Sequence, residues 1–113
     1  LLYHYYMRDL VQMVVIAIMM AGLALVVVWP YRVSGNSMEP NFHDGQWLII
    51  NKIAKPKIGD VVVFKYGNTE LIKRVIRPVG DGWWVEGDNK DFSTDSRSFG
   101  PVPKAVIVGK IGF

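Results

Sequence analysis

The chain has 113 residues, half of them hydrophobic, with a formal net charge of +3 and no cysteine. The missing thiols exclude disulfides, thiolate metal sites and a cysteine nucleophile. Lysines and arginines are interleaved with aspartates and glutamates, without the basic stripe of a nucleic-acid binder, so no nucleic-acid partner is expected.

Residues 1–9 read as an N-terminal flank carrying Tyr3, Tyr5 and Tyr6. From Leu10 to Trp29 the chain is apolar apart from Gln12 near its start. A helix of about twenty residues rises roughly 30 Å, the thickness of a bilayer's hydrocarbon core. About eighty residues follow, enough for one small core but too few to surround such a helix as well. The apolar region of a cleavable signal is shorter, about 7–15 residues. The stretch 10–30 is therefore expected to be a single membrane anchor in contact with a lipid bilayer, with aromatic residues at the two interfaces. Arg8 and Arg32 flank it one apiece, so charge gives no orientation.

Residues 31–113 are expected to form one β-rich domain. A small polar turn comes first, Ser34-Gly35-Asn36-Ser37, followed by Met38 and Pro40. Short β-branched and aromatic runs then mark strands at 46–50, 61–65, 70–77, 83–86 and 105–110. Turn residues separate them at His43-Asp44-Gly45, Ile58-Gly59-Asp60, Tyr66-Gly67-Asn68-Thr69 and Val79-Gly80-Asp81-Gly82. A loop rich in Asp, Asn, Ser and Gly runs from 87 to 100. Many short strands between turn signals predict a mainly β fold, a barrel or a folded sheet.

Three places carry chemistry. Ser37 is a hydroxyl on a flexible turn, which equally describes a plain loop. Lys73 lies inside a strand, where alternation puts it in a row with Leu71 and Val75, and Arg74 with Ile72 and Ile76. If that row is covered, the ammonium is desolvated and a neutral amine can take a proton from a serine hydroxyl. If it is not, the side chain snorkels into water. The acidic loop from Gly87 to Arg97 offers oxygen ligands for a hard cation, but it lacks the glycine and glutamate positions of an EF-hand. Its alternative is a hydrogen-bonded turn with an Asp95–Arg97 ion pair.

Four stretches in order resemble the type I signal peptidases, membrane-anchored serine peptidases with a Ser-Lys dyad. After the anchor come Ser34-Gly35-Asn36-Ser37-Met38-Glu39-Pro40 and then Gly59-Asp60-Val61-Val62-Val63-Phe64. Lys73-Arg74-Val75-Ile76 with Gly80-Asp81 follows, and last Gly87-Asp88-Asn89 through Ser93, Asp95-Ser96-Arg97 and Phe99-Gly100. The resemblance implies a β-barrel-type catalytic domain like that of signal peptidases and LexA-type repressors. It implies Ser37 as nucleophile and Lys73 as general base, a variant of Ser-His-Asp logic. Ser93 would hold the lysine amine, Asp95 and Arg97 would form a structural ion pair, and Asp88 and Arg74 would support them.

Val33, Met38 and Leu71 match positions that line shallow substrate pockets for small side chains. Some relatives carry a hydroxyl two residues before the nucleophile, where this chain has Gly35. No metal or cofactor is implied. The implied partners are preproteins with signal or leader peptides, processed on the extracytoplasmic side of a plasma or organelle inner membrane.

The short link between the lysine strand and the Gly87-Asp88-Asn89 loop resembles compact members. These include mitochondrial inner-membrane peptidases and maturation peptidases for nickel superoxide dismutase. The resemblance therefore leaves a general leader peptidase beside a maturase with one client. A self-cleaving regulator or an inactive membrane-anchored β module fits the sequence less well.

Overall fold

The computed structural model describes all residues, Leu1–Phe113. One helix, α1 (Leu2–Val27), is followed by seven strands: β1 (Val28–Arg32), β2 (Trp47–Asn51), β3 (Val61–Tyr66), β4 (Thr69–Val79), β5 (Gly82–Glu86), β6 (Val102–Pro103) and β7 (Ile107–Ile111). A four-residue helix, α2 (Ser96–Phe99), interrupts the loop before β6. All seven strands form one antiparallel sheet in the order β1-β2-β7-β3-β4-β5-β6. The mainly β fold behind one N-terminal helix is the architecture the sequence predicts.

α1 is long and apolar enough to cross a membrane, and none of its residues is buried against the rest of the chain. It differs from the expected anchor at both ends. The helix takes in the flank from Leu2, and it stops at Val27 rather than near Pro30. The cause of the early stop lies in Trp29-Pro30. Proline crowds the residue before it out of the helical region, so Trp29 is extended and helix gives way to strand. Pro30 has no N–H to donate, which an edge strand such as β1 tolerates.

The two predicted reversals are tight hairpins, with Tyr66 opposite Thr69 and Val79 opposite Gly82. The predicted last strand begins late, because Lys104–Val106 form one 3-10 turn before β7. That strand inserts between β2 and β3, pairing the C-terminal segment with both.

The central strands are covered on both faces. Val61, Val63 and Ile72 pack with Val33, Met38 and Ile50. Val62, Phe64 and Val75 pack with Val85 and Val102, with Phe99 and Val106 against them. Alternation along β3 and β4 therefore feeds two apolar clusters, and a polar side chain on either row is taken out of water.

Candidate active site

Three segments converge. The β1–β2 loop carries Ser37, β4 carries Lys73, and the β5–β6 loop carries residues 87–97. Lys73 stands opposite Val62 on β3, between Leu71 and Val75 on its own face. It is only 4% exposed, so the snorkelling alternative fails. Its Nζ donates a hydrogen bond of 2.7 Å to Ser37 Oγ, across 36 residues of sequence. Burial pushes the Lys73 ammonium below its ordinary value, and the Asp95 carboxylate nearby pulls partly against that shift. The arrangement puts a half-buried hydroxyl in contact with an amine biased toward its neutral form.

The turn holding Ser37 is pinned from two sides. Gly35 has φ of 88°, a left-handed conformation that glycine adopts at little cost, and its N–H donates to Asp44 Oδ1 at 2.8 Å. The Asn89 N–H donates to the Ser37 carbonyl at 2.8 Å, and Asn89 Nδ2 to the Asn36 carbonyl at 3.0 Å. The Ser37 N–H has no hydrogen-bond partner in the chain.

Asp95 is fully buried and collects donors from around the 87–97 loop. It accepts from the Gly87 N–H at 2.9 Å, from Ser93 Oγ at 2.7 Å, and from Arg97 Nε and Nη2 at 2.9 and 3.0 Å. Desolvation would raise its pKa, but Arg97, the Gly87 amide and Ser93 outweigh it and hold the carboxyl well below the usual range. Of the two readings of this loop, the hydrogen-bonded turn with an Asp95–Arg97 pair describes the geometry. Asp88 is likewise committed. It receives Arg74 Nε and Nη2 at 2.8 Å each and Asn41 Nδ2 at 2.9 Å.

Two expectations need correcting. The Ser93 hydroxyl donates to Asp95 and makes no hydrogen bond with Lys73. A fixed carboxylate two residues away is a stronger acceptor than an amine on another strand. The three expected pocket residues are also divided. Val33 and Met38 sit in one core cluster, 2% and 0% exposed, and Leu71 packs against the other. Val33 and Met38 are closed to solvent, so contact with a substrate side chain requires the turn around Ser37 to give.

Other site residues were not legible as such. Asn41 and Asn89 tie the two loops together from 47 and 53 residues away, distances no local pattern encodes. Gly87 is the third. A Cβ there would overlap the Ser93 hydroxyl and lie 2.6 Å from the Ser37 carbonyl oxygen. Its place at the head of Gly87-Asp88-Asn89 was the available signal. Gly87→Ala is expected to destabilise the chain by about 1–3 kcal/mol, the usual range for overpacking, as read by thermal unfolding.

The sequence pattern of the family described as signal peptidase, peptidase S26, matches residues 7–82 and 80–113. The chain belongs to that family. Among the signal peptidases and their kin it is similar to mitochondrial inner membrane protease subunit 1 of Xenopus tropicalis, with 35% identity over 105 residues covering 69% of this chain and 63% of the relative. The human protein of the same name is 31% identical over 107 residues, 71% of this chain and 64% of the relative. Signal peptidase I of Bacillus amyloliquefaciens is 33% identical over 85 residues, 71% of this chain and 46% of that protein. The chain thus spans less than two thirds of the length of these signal-peptidase relatives. Mitochondrial inner-membrane peptidases, named in the sequence resemblance, are thus among the relatives.

Proposed function

We propose that this chain is a single-pass, membrane-anchored serine endopeptidase that removes signal or leader peptides after small-x-small sites. The observation that carries the reading is the 2.7 Å contact between Ser37 Oγ and a buried Lys73 Nζ, in a chain of the signal peptidase family.

In this mechanism neutral Lys73 accepts the Ser37 proton as Oγ attacks the scissile carbonyl carbon. The unpartnered Ser37 N–H donates to the developing oxyanion, where one donor is typically worth about 10²–10³ in rate. Gly35 supplies no hydroxyl, so a second donor must come from backbone or water. The lysine ammonium then protonates the leaving amine, and an ester joins the leader to Ser37. Lys73 next takes a proton from water, which attacks that ester, and returns it to Oγ as the leader's carboxylate departs.

Asp95, with Arg97, Ser93 and the Gly87 amide fixed on it, serves as scaffold for the loop behind the lysine. Ser93 is a positioning residue acting through Asp95. Arg74 and Asp88 brace the same loop from β4. Leu71 on β4 would limit its pocket to small side chains, and Val33 and Met38 would do so only where the turn around Ser37 gives. The end of α1 at Val27, ten residues before Ser37, keeps the site near the bilayer surface, with the catalytic domain on the extracytoplasmic side.

The direct test is incubation of the full chain in detergent with a small-x-small leader peptide, followed by sequencing of the released N-terminus. A single cut after the small residue is expected; an intact peptide sinks the reading. Cleavage should also rise with pH. Only the neutral amine is a base, and its fraction grows as pH climbs through a pKa held below that of free lysine, about 10.4. A kcat/KM profile that is flat from acid to alkaline pH contradicts Lys73 as the base. Mapping which precursors accumulate uncleaved on depletion separates a general peptidase from a maturase with one client.

A further inference from the structure

A groove of about 480 Å³ lies beside the end of α1, away from Ser37, between the β2–β3 loop, Trp83 and the edge of β7. Its size is that of a small-molecule site. Lys52, Lys55 and Lys104 line it, and no carboxylate does. None of the three is in an ion pair, whereas Lys90 and Lys110 elsewhere on the domain are. Lys52 Nζ stands 4.8 Å from the centre of the Trp29 ring, and Lys104 Nζ 5.5 Å from that of Trp83. An aromatic face holds an ammonium in place without neutralising its charge. Ile53 and Pro56 from the loop and Ile107 and Val108 from β7 give the groove an apolar wall.

Position decides the occupant. The Lys52 N–H donates to the Val27 carbonyl at 2.8 Å, so the groove's rim is tied to the last residue of α1. Where α1 leaves the hydrocarbon, Lys52 is at headgroup depth, with the half-exposed Trp29 beside it. A ligand matched to this surface has an anionic phosphate for the lysines and an apolar portion for the wall.

We propose that the groove binds the headgroup phosphate of an anionic phospholipid, steadying the catalytic domain against the bilayer at the foot of its anchor. The inference rests on the membrane-anchored reading of α1 for the source of the phosphate, and on nothing in the Ser37–Lys73 chemistry. Lysines near a membrane surface each favour anionic lipid by about 1 kcal/mol, and three together give a preference on the order of 100-fold.

The test is native mass spectrometry of the full chain in detergent micelles titrated with phosphatidylglycerol or phosphatidylcholine. The expected result is the stated preference for phosphatidylglycerol, lost in the variant Lys52→Gln/Lys55→Gln/Lys104→Gln and kept in Lys65→Gln, whose lysine lies outside the groove. An unchanged thermal unfolding temperature of the triple variant in micelles verifies its fold.

Equal retention of the two lipids, an unchanged preference in the triple variant, or an equal loss in Lys65→Gln overturns the proposal. Displacement of phosphatidylglycerol by inorganic phosphate would make the site one for free phosphate, and displacement by an acidic peptide would make it a protein-docking surface. Either outcome also overturns it. Carbonate extraction of membranes tests the anchor separately: release of the chain defeats that reading while the lipid preference in micelles is still measured.

Discussion

Ser37→Ala and Lys73→Met are each expected to lower kcat/KM for leader cleavage by about 10⁴–10⁶-fold, the scale on which members of a nucleophile–base unit fail. Ser37 Oγ and Lys73 Nζ make their only side-chain hydrogen bond with each other, so losing either leaves no substitute within reach. The two variants should differ in stability. Lys73→Met removes a desolvated polar amine and keeps similar volume among Val62, Leu71 and Val75, so it should unfold at the same temperature as wild type or higher.

The sign follows from the pKa direction. Burial lowers the folded-state value, so between it and the unfolded value of about 10.4 the unfolded chain binds more protons, and wild-type stability rises with pH. The advantage of Lys73→Met should therefore shrink toward alkaline pH. Ser37→Ala leaves the lysine without a partner and gains nothing. Cleavage within about tenfold of wild type in either variant would overturn the dyad.

The second large effect is on folding. Asp95→Ala is expected to cost about 3–5 kcal/mol, mostly because the Gly87 amide and the Ser93 hydroxyl lose a buried acceptor, at about 1–3 kcal/mol for each group left unsatisfied. For a domain of this size that lowers the melting temperature by more than ~10 °C. The carboxylate is fully buried and serves the Gly87 amide, the Ser93 hydroxyl and the Arg97 guanidinium together. Removing it strands the Gly87 amide and the Ser93 hydroxyl, leaves the part-exposed Arg97 hydrogen-bonded only to the Lys90 carbonyl, and loosens the loop whose Asn89 holds the Ser37 carbonyl.

Asp95→Asn keeps the shape but not the charge. Because the folded-state pKa is depressed, the stabilisation is present above the unfolded value of about 3.9 and fades as pH falls through the folded one. The gap between wild type and Asp95→Asn should therefore narrow in acid. Denaturant unfolding at a series of pH values checks this, and a gap that is constant with pH would remove the ion pair from the account.

What the sequence determined by itself is local or ordered along the chain. β-branched runs set the strands, Gly-Asn and Gly-Asp pairs set the hairpins, and twenty apolar residues set the helix, because each depends on neighbours a few positions away. Four motifs in order were enough to point to a family. The helix end is not local in this sense: the apolar run continues through Val28 and Trp29, while Pro30 ends helical geometry before it.

Tertiary structure alone decided what Lys73 is. An alternating strand tells which row the lysine joins but not whether that row is covered. Its desolvation comes from residues packed over β4, and its partner from a turn 36 positions back. The same holds for the division of Val33 and Met38 from Leu71, for Ser93 turning to Asp95, and for Gly87 as the gap through which two loops approach. These are consequences of β7 entering between β2 and β3 and of the sheet closing over both faces of its centre, and no local pattern carries that information.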